Sequence, residues 1–297
     1  MQFINTAFLE ITLVGALSGI VGAIACLRRR VFYTQALTHA TFPGAIIGVV
    51  FVSKVLFESL NYGLDHKAQI LSVSIFIGGA LLCIPMIYFM DVISKVKGQG
   101  PNTAAGVLLT VGFALGFLLL KLFQPIPLKV NSFISGNILT ANSLDIQVTS
   151  IALIACIITL LAYGKQIIFA CFDETGMQAS GYNLRKTDFI ILIMITVTVV
   201  IAMPAVGSVL SISLIVGPAS AAIKLSSSIW QTVIFAPILG IIAGTLGLYS
   251  SIYLGLSSGG MITVFSAIVY IVCVIIYHTK NMIIKFIQAK RDVTQIA

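Results

Sequence analysis

Apolar residues gather into nine runs along the chain, at roughly 7–27, 37–57, 68–90, 103–122, 146–164, 188–204, 207–224, 230–250 and 261–278. Each is close to the ~20 residues that carry an α-helix across a ~30 Å hydrocarbon layer at 1.5 Å per residue. Polar residues and most charges fall between the runs. The pattern predicts an all-α, polytopic membrane helix bundle with about nine (eight or nine) transmembrane helices, built as one transmembrane domain over 1–297. The weakest boundary is "MPAVGS", between the sixth and seventh runs. The seventh run reads as a broken or re-entrant element as readily as a full span.

Composition agrees with that class. The 297 residues are 59% hydrophobic and 9% charged, and mean hydropathy is +1.10. A soluble domain carries about 25% charged residues, so this chain could not cover itself with a wetted surface. The first run lacks a preceding cationic segment and is followed by Arg28–Arg30, which predicts a retained helix and not a cleaved signal. If the loop after that run is cytoplasmic, 13 Lys and Arg lie inside, and only Lys54, Lys67, Lys121 and Lys129 lie outside. This bias predicts an outer N-terminus and a cytoplasmic C-terminus. The five cysteines are scattered singly, without a CxxC pair, and read as small buried residues.

Gly15/Gly19, Gly44/Gly48, Gly112/Gly116 and Gly240/Gly244 each place two glycines on one helix face, where they predict close helix packing. Pro43, Pro85, Pro204, Pro218 and Pro237 lie in or beside spans, where a proline frees a backbone carbonyl. The longest charged connector, 165–187, mixes both signs of charge with Phe172, Met177 and Tyr182. A short amphipathic helix is expected at about 173–181, with a cytoplasmic protein partner to cover the apolar side chains.

Few polar residues fall inside the runs, and each is a candidate for function because burying it unpaired costs several kcal/mol. Gln35 and His39 are four apart and share a helix face, with Thr38 adjacent. An imidazole flanked by amide and hydroxyl oxygens is a way-station for a borderline divalent cation. It is equally a histidine that bonds a carbonyl and fixes helix packing, and both readings stand. Glu10, 18 residues before Arg28, is expected near the outer face, as a wetted carboxylate or as a contact for an incoming cation. The chain has no GxxxxGK[ST] and no HExxH. It therefore reads as a transport subunit that does not itself hydrolyse nucleotide.

Five segments in order resemble one family, the permease subunits of bacterial ABC transporters for zinc, manganese and iron uptake. "ALTHATFPG" resembles its ALSHAxLPG signature. "NSFISGNIL", with Asp145 beyond, is similar to SFLFGSIL. "FDETGMQASG" keeps the family spacing through Phe172, Asp173, Ala179 and Gly181, with Asp188 at a commonly acidic place. "VGSVLSISLIVGPASAA" and "GLYSSIYLGLSSGGMI" resemble VGxLLxxALLxxPAATA and GLYLSYYLDLPSGPTI.

The resemblance implies a homodimer in the bacterial cytoplasmic membrane, with the pore at the dimer centre. Cytoplasmic ABC ATPase subunits would dock on the loop matched by Phe172, Asp173, Glu174, Met177, Ala179 and Gly181. An extracytoplasmic solute-binding protein would deliver Mn²⁺ or Zn²⁺, with iron a further candidate. No permanently bound cofactor and no nucleic acid partner is expected, and ATP acts only through the partner subunit. His39 becomes the family's candidate metal contact, beside Thr38 and Gln35, with Glu10 a more distant one and Pro43, Gly44 and Pro218 as kink and packing positions. One departure stands out: the family usually has Asp four residues before that histidine, where this chain has Gln35. The alternatives are a secondary transporter, an intramembrane enzyme and an ABC permease for a metal chelate. The first would require mid-membrane acids and the second a facing catalytic pair. The third belongs to a longer family, typically with ten spans.

Overall fold

The computed structural model describes residues 2–54, 64–98, 100–124, 136, 138–207 and 211–296. Apolar runs become helices because hydrocarbon offers no partner to a backbone N–H or C=O, and a helix closes those bonds within itself. Along the described chain run α1 (Gln2–Leu27), α2 (Val31–Val52), α3 (Leu64–Ser94), α4 (Pro101–Leu122), a 3-10 turn (Ile138–Thr140), α5 (Ser143–Phe172), α6 (Glu174–Ala179), α7 (Leu184–Val206), α8 (Ser211–Leu225), α9 (Ile229–Leu254) and α10 (Ser258–Ile296). Eight of the described helices are long and apolar enough to cross a membrane, and the described residues contain no strand.

The seventh apolar run is α8. Its 15 residues extend about 22 Å, less than the ~30 Å hydrocarbon layer. The weak boundary at "MPAVGS" is therefore a real break. Helix α7 stops at Val206, and Gly207 turns the chain with φ 102°, a conformation L side chains rarely adopt. Helix α2 begins at Val31, six residues before the apolar run, and α10 continues past the expected end at 278 to Ile296.

Helix α1 is the central post. Its glycine face lies against α9, where a Cβ at Gly15 would meet the Gly240 carbonyl at 2.7 Å and one at Gly19 would meet Ala236. Helix α2 is clasped on two sides, by α3 through Gly44, Gly48 and Gly78 and by α4 through Gly112 and Gly116. Small residues at helix crossings let backbones approach, which is how helices associate when lipid is as apolar as their side chains. Helix α7 joins the clusters, with Ile195, Val199 and Ile201 in the main core beside Leu37 of α2 and Ile24 of α1.

At the end of the bundle opposite Arg28, non-helical backbone is buried. Gly136, at φ 71°, lies so close to Val206 that a Cβ would fall 2.1 Å from its carbonyl oxygen. Ile138 is fully buried with Ile11, Val206, Leu214 and Ile262. Its N–H donates to Ser258 Oγ at 3.4 Å. Irregular backbone at this depth survives because protein, not lipid, surrounds it. Of the "NSFISGNIL" stretch, residues 131–135 and 137 lie outside the described residues.

Candidate functional site

His39 lies on the ninth residue of α2, about 12 Å along the helix from its arginine-rich end. The side chain is 8% exposed, and its ring meets Phe113 of α4 edge-to-face at 5.3 Å. Its Nδ1 is buried without a hydrogen-bond partner. Pro43 sits inside α2 four residues on and has no N–H to close the helical bond onto the His39 carbonyl. Gly112 brings α4 against that same carbonyl, since a Cβ there would come within 3.1 Å of it. An unsatisfied imidazole nitrogen and a carbonyl freed by proline thus sit at one level of the bundle.

The neighbours follow from helical spacing. Gln35 is half-buried one turn below. The Thr38 hydroxyl donates to the Gln35 carbonyl at 2.6 Å, and Thr41 donates to the Thr38 carbonyl at 2.7 Å. Gly44, one residue past Pro43, packs α2 on Gly78 of α3. Pro218 is buried within α8.

Glu10 does not join this group. It is 2% exposed on α1, and its Oε1 accepts from the Thr149 hydroxyl of α5 at 2.7 Å, while Oε2 has no partner. It lies 17 residues from the α1 end that adjoins Arg28, or about 26 Å, against about 12 Å for His39 on α2. The two differ in depth by roughly 14 Å, too far to share a cation. A wetted carboxylate was one sequence expectation for Glu10; the side chain is instead enclosed between α1 and α5. No three His, Cys, Asp or Glu side chains among the described residues form a metal-holding group.

The charged connector is organised by a residue that sequence reasoning counted only as a positive charge. Arg28, its side chain 4% exposed, donates to the Ala170 carbonyl near the end of α5 and to Glu174 Oε1 at 2.7 Å, and pairs with Asp188 in the first turns of α7. Arg30 Nη2 stands 3.8 Å from the other Asp188 oxygen. Burial pushes the Arg28 guanidinium down, but the charges and hydrogen bonds of Asp188 and Glu174 outweigh it and hold the group above its ordinary value. The α1–α2 corner, α5, α6 and α7 are therefore tied at one point. Only the neighbourhood of Arg28–Arg30 and the acids of the connector hinted at it in the sequence.

Helix α6, 174–179, falls within the expected 173–181. Asp173 caps it by accepting from the Gly176 N–H at 2.8 Å, and Asn183 caps α7 in the same way through Lys186. Met177 is fully buried inside the chain, so it anchors the connector and does not await a partner. Phe172, by contrast, is 78% exposed, and Glu174, Ala179 and Gly181 are also exposed, Gly181 at φ 80°. Tyr182 is about half-exposed, its ring 6.3 Å from Phe169.

Known proteins resemble the chain over nearly its full length. A model of the ABC 3 transport family matches residues 1–277. The manganese transport system membrane protein MntC of Listeria monocytogenes is 25% identical over 274 residues, covering 91% of this chain and 89% of that protein. The zinc transport system membrane protein TroC of Treponema pallidum is 27% identical over 234 residues, covering 77% and 74%. Among solved structures, PsaBC from Streptococcus pneumoniae in complex with Fab shares the fold, with a TM-score of 0.78 at 23% identity over 92% of this chain and 91% of that one. Helices, break and buried histidine thus meet a family match spanning almost every described element: the chain belongs to the ABC 3 transport family and is a multi-pass membrane protein of ABC transport.

Proposed function

We propose that this chain is the permease of an ATP-driven importer for a divalent transition metal, Mn²⁺ or Zn²⁺. The observation that carries the reading is the His39 level of α2: a buried imidazole with an unbonded Nδ1, a proline-freed carbonyl, and amide and hydroxyl oxygens beside it. One imidazole with neutral oxygens is a weak donor set, which suits a site the ion must leave again. Gln35, where the resembling family has a carboxylate, makes it weaker still. The names of the relatives, manganese and zinc transport proteins, support the cargo class.

Energy would come from a separate cytoplasmic ABC ATPase subunit docking on the exposed Phe172, Glu174 and α6 surface. Arg28 is placed to transmit movement of α6 to α1, α2 and α7. A solute-binding protein would deliver the ion to the opposite end, closed by Ile138. The chain would act as a homodimer with N-terminus outside and C-terminus inside.

Co-expression with a candidate ATPase, followed by reconstitution, tests the proposal. Metal uptake and metal-stimulated ATP hydrolysis are expected with Mn²⁺ or Zn²⁺. A complex that hydrolyses ATP yet moves neither ion, with or without Fe²⁺, overturns it.

A further inference from the structure

A cleft of about 660 Å³ opens at the arginine-rich end of the bundle, between the α1–α2 corner, the end of α3 and the start of α7. Its mouth carries four cations, Arg29, Arg30, Lys95 and Arg185, against two carboxylates, Asp91 and Asp188. Both carboxylates are engaged, Asp91 by Lys95 and Asp188 by Arg28 and Arg30. Arg29 and Arg185 are exposed and have no ion pair among the described residues. Arg29 is also the residue of the α1–α2 corner with left-handed backbone, φ 54°. The buried Tyr33 hydroxyl, on the inner side, has no partner either. The cleft is rich in donors and short of acceptors.

Its inner wall is apolar. Ile84 and Tyr88 lie ten and six residues before the end of α3, and Phe189 and Leu192 lie five and eight residues into α7. These spacings put the wall about 8–15 Å deeper than the cations. Ile84, Tyr88 and Phe189 are each more than half exposed. A protein partner in water would match the mouth but not a wall at hydrocarbon depth. An amphiphile matches both.

We propose that this cleft binds an anionic phospholipid, with its phosphate between Arg29 and Arg185 and an acyl chain along Ile84, Tyr88 and Phe189. Guanidinium groups suit phosphate because their donors bond its oxygens in pairs. Basic pockets between transmembrane helices at the positive end are suited to acidic headgroups.

The test uses the purified full chain in detergent, titrated with phosphatidylglycerol or phosphatidylcholine of the same acyl chains and read by native mass spectrometry. Phosphatidylglycerol is expected to bind preferentially at one site per chain. The double variant Arg29→Gln/Arg185→Gln should lower its apparent affinity roughly 30-fold, from about one unit of headgroup attraction per cation. Arg29→Lys/Arg185→Lys should retain most of the preference, and Lys224→Gln, outside the cleft, all of it. Unchanged lipid retention in the double Gln variant overturns the proposal. So does displacement of the lipid by millimolar inorganic phosphate, which would make the free anion the ligand. Loss of ATPase recruitment with lipid binding intact would assign the cations to a protein partner and overturn it equally.

Discussion

Replacing Arg28 by Gln removes the point at which the α1–α2 corner, α5, α6 and α7 meet. Three interactions go with it. The bond to the Ala170 carbonyl is worth about 1 kcal/mol, as a typical hydrogen bond to a neutral acceptor. The charged bond to Asp188, whose side chain is 27% exposed, contributes about 1.5–3 kcal/mol. Glu174 is 59% exposed, so solvent screens that pair to under about 1 kcal/mol. Part of the total already offsets the burial of the guanidinium. A net loss of about 2–4 kcal/mol is expected, in the range for breaking a buried charged network. The single tryptophan, Trp230, packs on Gly164 of α5 at the same end and reports the transition by its fluorescence. Denaturation in mixed micelles should move to lower denaturant in Arg28→Gln. A double-mutant cycle with Asp188→Asn should give a coupling of about 1–3 kcal/mol. Additive effects, or a single-variant loss under about 0.5 kcal/mol, would refute the idea that Arg28 ties these helices together.

Other consequences are as direct. Ile138→Ala should cost about 2–4 kcal/mol through the cavity it leaves beneath the 3-10 turn, and should raise solvent labelling of a cysteine introduced at Ala7; unchanged labelling would mean the turn does not seal that end. Gly22→Val should block assembly of α1 on α8, because even a Cβ would sit 1.9 Å from the Ile215 carbonyl and the backbones would have to part; a normal yield of folded protein would contradict the packing. Gln35→Asp should restore a charged oxygen one turn from His39 and tighten metal binding at least several-fold while slowing release; isothermal titration with Mn²⁺ checks it, and equal affinity would separate Gln35 from the ion.

Much of the bundle was legible because hydropathy reports burial in lipid directly. The limits of that signal explain the differences. It marks where hydrocarbon ends and not where a helix ends, so α2 starts at Val31, before its apolar run, and α10 runs on through polar residues to Ile296. It could not decide whether 207–224 crosses, since a helix of 15 residues and a full span have the same composition. Helical spacing brought Gln35, Thr38 and His39 together correctly because they share one helix. Joining Glu10 to them required the relative depth of two helices, which spacing within one cannot supply. Arg28 was missed for the same reason: its partners lie 142–160 residues away. Met177 was read as an exposed contact because a polar connector gives no sign that it folds back on its own chain.

The metal path through this permease depends most directly on His39. In proteoliposomes holding the permease with its ATPase, His39→Ala is expected to abolish most uptake of radioactive Mn²⁺ or Zn²⁺ while the complex still assembles and hydrolyses ATP at its basal rate. Uptake equal to the unaltered protein in an assembled complex would contradict a metal path at this level of α2. Failure to assemble would make the histidine a packing residue and contradict it as well.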